Sequence, residues 1–313
     1  MIRTRLGILL LALLAGCAQQ SAPSGNLDEG PDIDDSAVPP GKYLIHLPRP
    51  VHVGDKFELR RLQEIKMLMV MGPPNAPDHI DNKTKITELT GRMEVMAVNA
   101  KGQPSAINIT LHKFMGEEGK ELLDPGSVIE VITGVGAKDA TFKLRGGKLN
   151  DPATAALQKL FKTIGLTDMD MFFASRTPRG VGDTWSFLDS SGAAAKSTAD
   201  MNSNLGMQAE AKDLRGDATL QKLETLNGID ALRLDSILAA NVKVWAPLPG
   251  LNVDQSSFQM HENLLLPVER SLGILERETD FQMHIAISGS ILFQPVKMRV
   301  EMRQEFALTP ANQ

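Results

Sequence analysis

Apolar and polar positions alternate most clearly in the last third of the chain. Met298, Val300, Met302, Phe306 and Leu308 share one parity, interrupted by Gln304, while Lys297, Arg299, Glu301, Arg303 and Glu305 fill the other. A period of two is that of a strand with one buried and one wet face. Phe281, Met283, Ile285 and Ile287 alternate in the same way with Gln282, His284, Ala286 and Ser288, and Ile107, Ile109 and Leu111 with Asn108, Thr110 and His112. Asn99-Ala100-Lys101-Gly102 and Asn227-Gly228 fall between such runs and read as hairpin turns.

The period changes to that of a helix in one place. Ala153, Ala156, Leu157, Leu160, Phe161 and Ile164 recur at helical spacing, with Asp151 as a cap, Pro152 in the first turn and Gly165 as a stop. The spacing predicts a helix over about 152–164. Its apolar stripe must be covered, and only sheet faces are available to cover it. It is therefore expected on a concave sheet surface with Leu160 and Phe161 deepest, either filling the concavity or roofing a cavity.

The pattern also repeats. Pro50-Val51-His52-Val53-Gly54-Asp55-Lys56-Phe57 recurs 128 residues later as Pro178-Arg179-Gly180-Val181-Gly182-Asp183-Thr184-Trp185, and the same offset aligns Val98-Asn99 with Leu226-Asn227. Gly permits a turn, Asp bonds nearby backbone, and the aromatic anchors a new strand. The fold expected is mainly β (α+β). Two related units of long twisted antiparallel strands, 43–172 with the helix and 173–313, form a curved or half-barrel-like sheet.

The N-terminus carries different information. Arg3 and Arg5 precede an apolar run, Leu6 to Leu14, too short for a stable membrane span. Leu14-Ala15-Gly16-Cys17 follows, and Cys17 is the single cysteine. This resembles a bacterial lipoprotein signal: residues 1–16 would be the leader and Cys17 the lipidated residue. An ordinary secretory signal with a fortuitous cysteine is the other reading. Residues 17–42, with Asp28, Glu29, Asp32, Asp34 and Asp35 and then Pro39-Pro40, read as an acidic disordered tether. The residue after Cys17 is Ala18, not the Asp that holds such lipoproteins at the inner membrane. The resemblance thus implies a lipid anchor of palmitate type at the outer membrane, facing the periplasm.

The Val-Gly-Asp-x-aromatic strand starts, the long strands and the lipobox together resemble a group of uncharacterised bacterial envelope lipoproteins with a duplicated β domain and a Gly-Asp-x-Trp motif. Gly182-Asp183-Thr184-Trp185 fits that motif, and Gly54-Asp55-Lys56-Phe57 departs from it by Phe57. The architecture also invites comparison with carrier half barrels that shelter acyl chains.

Composition narrows the chemistry. The 313 residues carry a net charge of −5, which disfavours nucleic acid as a partner. With Cys17 lipidated, no disulfide can form within the chain. Aromatic residues are 4% of the chain and methionines number 15, so the core is expected to be aliphatic and Met-rich. Met67, Met69 and Met71 share one strand face, and Met169 and Met171 repeat the spacing. Core packing, a greasy binding groove and Cu(I) ligation are the three readings.

The histidines are scattered, and His112 and His284 fall on polar strand faces. Asp78, His79 and Asp81 form the tightest cluster and the weak candidate for a divalent metal. No His-Glu-x-x-His or Gly-x-Ser-x-Gly spacing occurs. Ser288-Gly289-Ser290 reads as a turn and Arg145-Gly146-Gly147-Lys148 as a hairpin. No catalytic residue and no cofactor are expected. The sequence points to a non-catalytic module binding an apolar ligand or another envelope protein. The alternative is an envelope hydrolase with an acid-pair or Ser site.

Overall fold

The computed structural model describes residues 38–45, 49–73, 77, 79–99, 102–132, 140–161, 175–186, 207–208, 210–244, 250–291 and 294–311. The strands are β1 (Lys42–Ile45), β2 (Lys56–Met71), β3 (His79–Val98), β4 (Pro104–Met115), β5 (Val128–Ile132), β6 (Thr141–Leu144), β7 (Ser175–Gly180), β8 (Thr184–Ser186), β9 (Met207–Gln208), β10 (Leu214–Leu226), β11 (Ile229–Asn241), β12 (Lys243–Val244), β13 (Leu251–Pro267), β14 (Glu276–Ile291) and β15 (Gln294–Pro310). Helix α1 (Asp151–Phe161) lies between β6 and β7.

Eleven strands form one antiparallel sheet in the order β6-β5-β4-β3-β2-β15-β14-β13-β11-β10-β8, which is not closed into a barrel. It consists of two meanders side by side. β2 to β6 make one, β8, β10, β11, β13, β14 and β15 the other, and the last strand of the second pairs with the first strand of the first. That junction runs without a register shift from Val296 opposite Met71 to Pro310 opposite Phe57. β1 pairs with β7, and β9 with β12, in two small sheets. Lys42, placed by the sequence at the end of the tether, is the first residue of β1 and pairs with Gly180.

The two Gly-Asp motifs make the same turn. Gly54 and Gly182 have φ of 93° and 89°, where a side chain would be strained. The His52 amide donates to Asp55 Oδ2 and the Gly180 amide to Asp183 Oδ2, both at 2.7 Å. Each Gly amide then donates to a neighbouring strand, Gly54 to the Val95 carbonyl and Gly182 to the Leu220 carbonyl. Asn227 and Gly228, both at positive φ, turn β10 into β11. Asn99 holds the longer turn from β3 to β4, with its Oδ1 accepting from the Gln103 amide.

One face of the sheet carries two apolar clusters. Val296, Met298 and Val300 of β15 belong to the first, with Phe281, Met283, Ile285, Ile287, Phe258, Met260, Leu264 and Leu238. Phe306 and Leu308, farther along β15 on the same parity, pack against the second, formed by Leu59, Leu89, Met93, Ile109, Leu111, Phe114, Ile129 and Val131. The helix closes the second cluster with Ala153, Ala156, Leu157 and Leu160.

Several expectations need correcting. The cap is Asn150, not Asp151: its Oδ1 accepts from the Ala153 amide at 2.8 Å, and Asp151 is the first helical residue. Ala153 and Leu157 are the deepest helix residues, with no exposed surface, while Leu160 keeps 7% and Phe161 is only partly buried. The buried stripe thus centres about one turn earlier than expected, on Ala153 and Leu157. Ile164 and Gly165 lie outside the described residues.

Ser288-Gly289-Ser290 is not a turn but part of β14, paired with β13 and β15. A Cβ on Gly289 would stand 2.1 Å from the Gly250 carbonyl oxygen, so glycine lets two backbones meet there. Arg145-Gly146-Gly147-Lys148 turns β6 towards the helix and joins no hairpin.

Candidate functional site

Between the two apolar clusters, on the same face, the sheet buries polar side chains. Register places Arg61 of β2 opposite Phe306 of β15, Phe306 opposite Thr279 of β14, Thr279 opposite Glu262 of β13, and Glu262 opposite Ser236 of β11. This row runs straight across the sheet, with Arg277 two residues from Thr279 on the same face of β14.

Arg61 is held from several sides. Its Nη1 donates to the Leu160 carbonyl at 2.8 Å, capping the end of α1. Its guanidinium carbon lies 4.2 Å from the Phe161 ring centre and 4.7 Å from that of Phe306, within cation–π range. Burial, and then the positive charge of Arg277, push its pKa down to about 10. It stays charged at neutral pH.

Glu262 has no exposed surface, and Arg277 Nε lies 2.6 Å from its Oε1. Ser236 Oγ donates to the Glu262 carbonyl at 3.3 Å. A guanidinium and a carboxylate so placed can orient an ion or lock a packing arrangement. The contacts observed are with the protein itself.

The opposite face is a ladder of ion pairs. Arg60 reaches Glu305 at 2.9 Å, Lys113 reaches Glu88 at 2.6 Å, and Arg303 reaches Asp280 at 3.1 Å. A shallow open groove of about 560 Å³ lies on this face, lined by Gln221, Lys222, Arg233, Asp235, Asn263 and Glu278. Arg233 is bound there by Glu224, Asn263 and Glu276, at 2.8, 3.0 and 2.7 Å. His112 is exposed and bonds Glu58 at 2.9 Å, and His284 is also exposed.

The residues singled out from sequence divide as follows. Cys17 and Asp78 lie outside the described residues, as do Met169 and Met171. His79 is exposed, and Asp81, half-buried, pairs with Lys83 at 2.6 Å. Among the described residues no three His, Cys, Asp or Glu side chains come together to hold a metal ion. Met67, Met69 and Met71 pack against the first apolar cluster, beside Met298 and Met302. Arg61, Glu262 and Arg277 were missed. Their signal was a charge at an apolar parity: Glu262 interrupts Phe258, Met260, Leu264 and Leu266, and Arg61 stands between Leu59 and Ile65.

Among the described residues, no helix is long and apolar enough to cross a membrane. The chain matches no known family model and none of the curated proteins compared with it.

Proposed function

We propose that this chain is a lipid-anchored envelope protein. Cys17 carries the anchor, 17–41 is the tether, and the sheet is a non-catalytic module that binds an apolar ligand or another envelope protein. The observation that carries this reading is how the charged side chains are used. Arg61 and Glu262 are committed to protein contacts inside the sheet, and the cations of the other face are largely matched by neighbouring carboxylates. Such an arrangement builds a rigid surface rather than a poised acid or base. The Met-rich cluster, with Met67, Met69 and Met71 only partly buried, supplies adaptable apolar contact of the kind a greasy partner needs.

Mass spectrometry of molecules co-purifying with the protein tests the binding role. Lipids or one envelope protein retained at constant stoichiometry, and lost on Met67→Asp/Met69→Asp, are expected. A protein that retains neither and turns over an ester or glycoside substrate would overturn the reading.

A further inference from the structure

β3 is longer than the strand beside it. Pairing with β4 ends at Glu88 opposite Met115, whereas pairing with β2 continues to His79 opposite Met71. Residues 79–87 therefore have a strand on one side and, among the described residues, none on the other. This edge is open: Ile80 is 59% and Ile86 41% exposed, and Asn82, Lys83 and Thr84 are exposed too.

The direction of its backbone groups is fixed by two bonds. The Gly72 amide donates to Pro295 of β15, and both the amide and the carbonyl of Val95 bond residues 54–55 beside β2. Between these points β2 and β3 pair without a shift. Odd residues of β3 thus face β2, and Ile80, Asn82, Thr84 and Ile86 present outward amides and carbonyls that no other described strand meets. A row of this kind is a template for another strand.

We propose that a second copy of this chain occupies it, pairing β3 with β3 antiparallel about a two-fold axis at Asn82. The choice of occupant and register follows from charge. A two-fold centred at residue 81 sets Asp81 against Asp81. One at 83 sets Lys83 against Lys83 at its centre, although Asp81 then meets Lys85 twice, one at 84 sets Lys83 against Lys85 twice, and one at 85 sets Lys85 against Lys85. Like charges directly opposite are unfavourable.

Centred at 82, Asp81 faces Lys83 of the other copy twice. Asn82 faces Asn82 and Ile80 faces Thr84 twice, and these three pairs, unlike Asp81–Lys83, are of the hydrogen-bonded kind. Each exchanges two backbone bonds. Lys85, opposite His79, keeps Glu117 at 2.6 Å. Of the five registers centred at residues 81 to 85, the one at Asn82 alone sets no like charges directly opposite, so the lysines that normally protect an edge from indiscriminate pairing here select among registers. The pairing concerns an edge and not the lipid anchor, so it stands or falls apart from the function proposed above.

Single cysteines in the full chain, in its native membranes under mild oxidation, test it. Hydrogen-bonded residues across a strand pair have Cα atoms about 5.5 Å apart, within disulfide range. Asn82→Cys is expected to form a disulfide-linked species of twice the chain mass, at least tenfold above Ile86→Cys and above the parent with Cys17 alone. Equal yields, or a product of any other mass, would overturn the proposal. Lys83→Asp should abolish Asn82→Cys cross-linking, and Asp81→Lys/Lys83→Asp should restore it. Failure to restore it, in a chain with the parental thermal midpoint, would also overturn it.

Discussion

Arg277 sets its Nε 2.6 Å from Oε1 of Glu262, a carboxylate with no exposed surface on the sheet face that also carries Met260, Leu264 and Phe281. Removing one partner of a buried pair leaves a charge without compensation and costs about 3–5 kcal/mol, whereas replacing both by apolar groups of similar size is often neutral or stabilising. Glu262→Ala is therefore expected to lower stability by about that amount, and Glu262→Leu/Arg277→Met to lie near or above the parent. Urea unfolding of the three chains checks the order.

The helix gives a graded series. Leu157→Ala should cost about 2–5 kcal/mol, because its side chain fills the second cluster with no exposed surface. Asn150→Ala removes the cap and should cost about 1 kcal/mol. Asp151→Ala loses only a favourable charge in the first turn and should cost less than either. If Asp151→Ala proved costlier than Asn150→Ala in equilibrium unfolding, the capping assignment would be wrong.

The elements legible in the sequence are those whose pattern is local. The alternation at 281–287 and 297–308, the Asn227-Gly228 turn and the Gly-Asp strand starts each depend on a few adjacent residues. The pairing of β15 with β2 is not of that kind, since it joins residues more than two hundred positions apart on faces that many strands could match. Arg61, Glu262 and Arg277 carried only a faint signal, a charge at an apolar parity, for a related reason. Each is an unremarkable charge until three strands bring it beside the others and α1 ends over Arg61. Ser288-Gly289-Ser290 misled because small residues mark turns as well as close backbone contacts. The displacement of the cap from Asp151 to Asn150 is one residue, between two side chains that cap equally well.

Glu117 makes stability depend on pH. Burial raises its pKa, but hydrogen bonds and charge from Lys159 and Lys85 outweigh this, and the folded value lies below the ordinary one. These contacts tie α1 and β3 to the turn after β4. A depressed carboxylate stabilises fully above its unfolded pKa, about 4.3, and the contribution fades as pH falls through the folded value. Glu117→Gln should therefore lower stability at pH 7 by about 1 kcal/mol or less and converge with the parent in acid. Parallel denaturation curves at pH 7 and pH 3 measure this. A difference that persists or grows in acid would assign the effect to packing.

Gly289→Ala should be poorly tolerated, since the added carbon meets the Gly250 carbonyl and the Leu251 Cα, both backbone. A loss of about 1–3 kcal/mol is expected. An unchanged thermal midpoint would mean that β13 and β14 separate at that end.

The central proposal is that the chain is lipid-anchored through Cys17. Intact-mass and N-terminal peptide mass spectrometry of the protein purified from membranes test it most directly. A chain beginning at Cys17 and carrying a diacylglyceryl group and an amide-linked acyl chain is the expected result. A mature chain beginning elsewhere, or a Cys17 without added acyl mass, would contradict it.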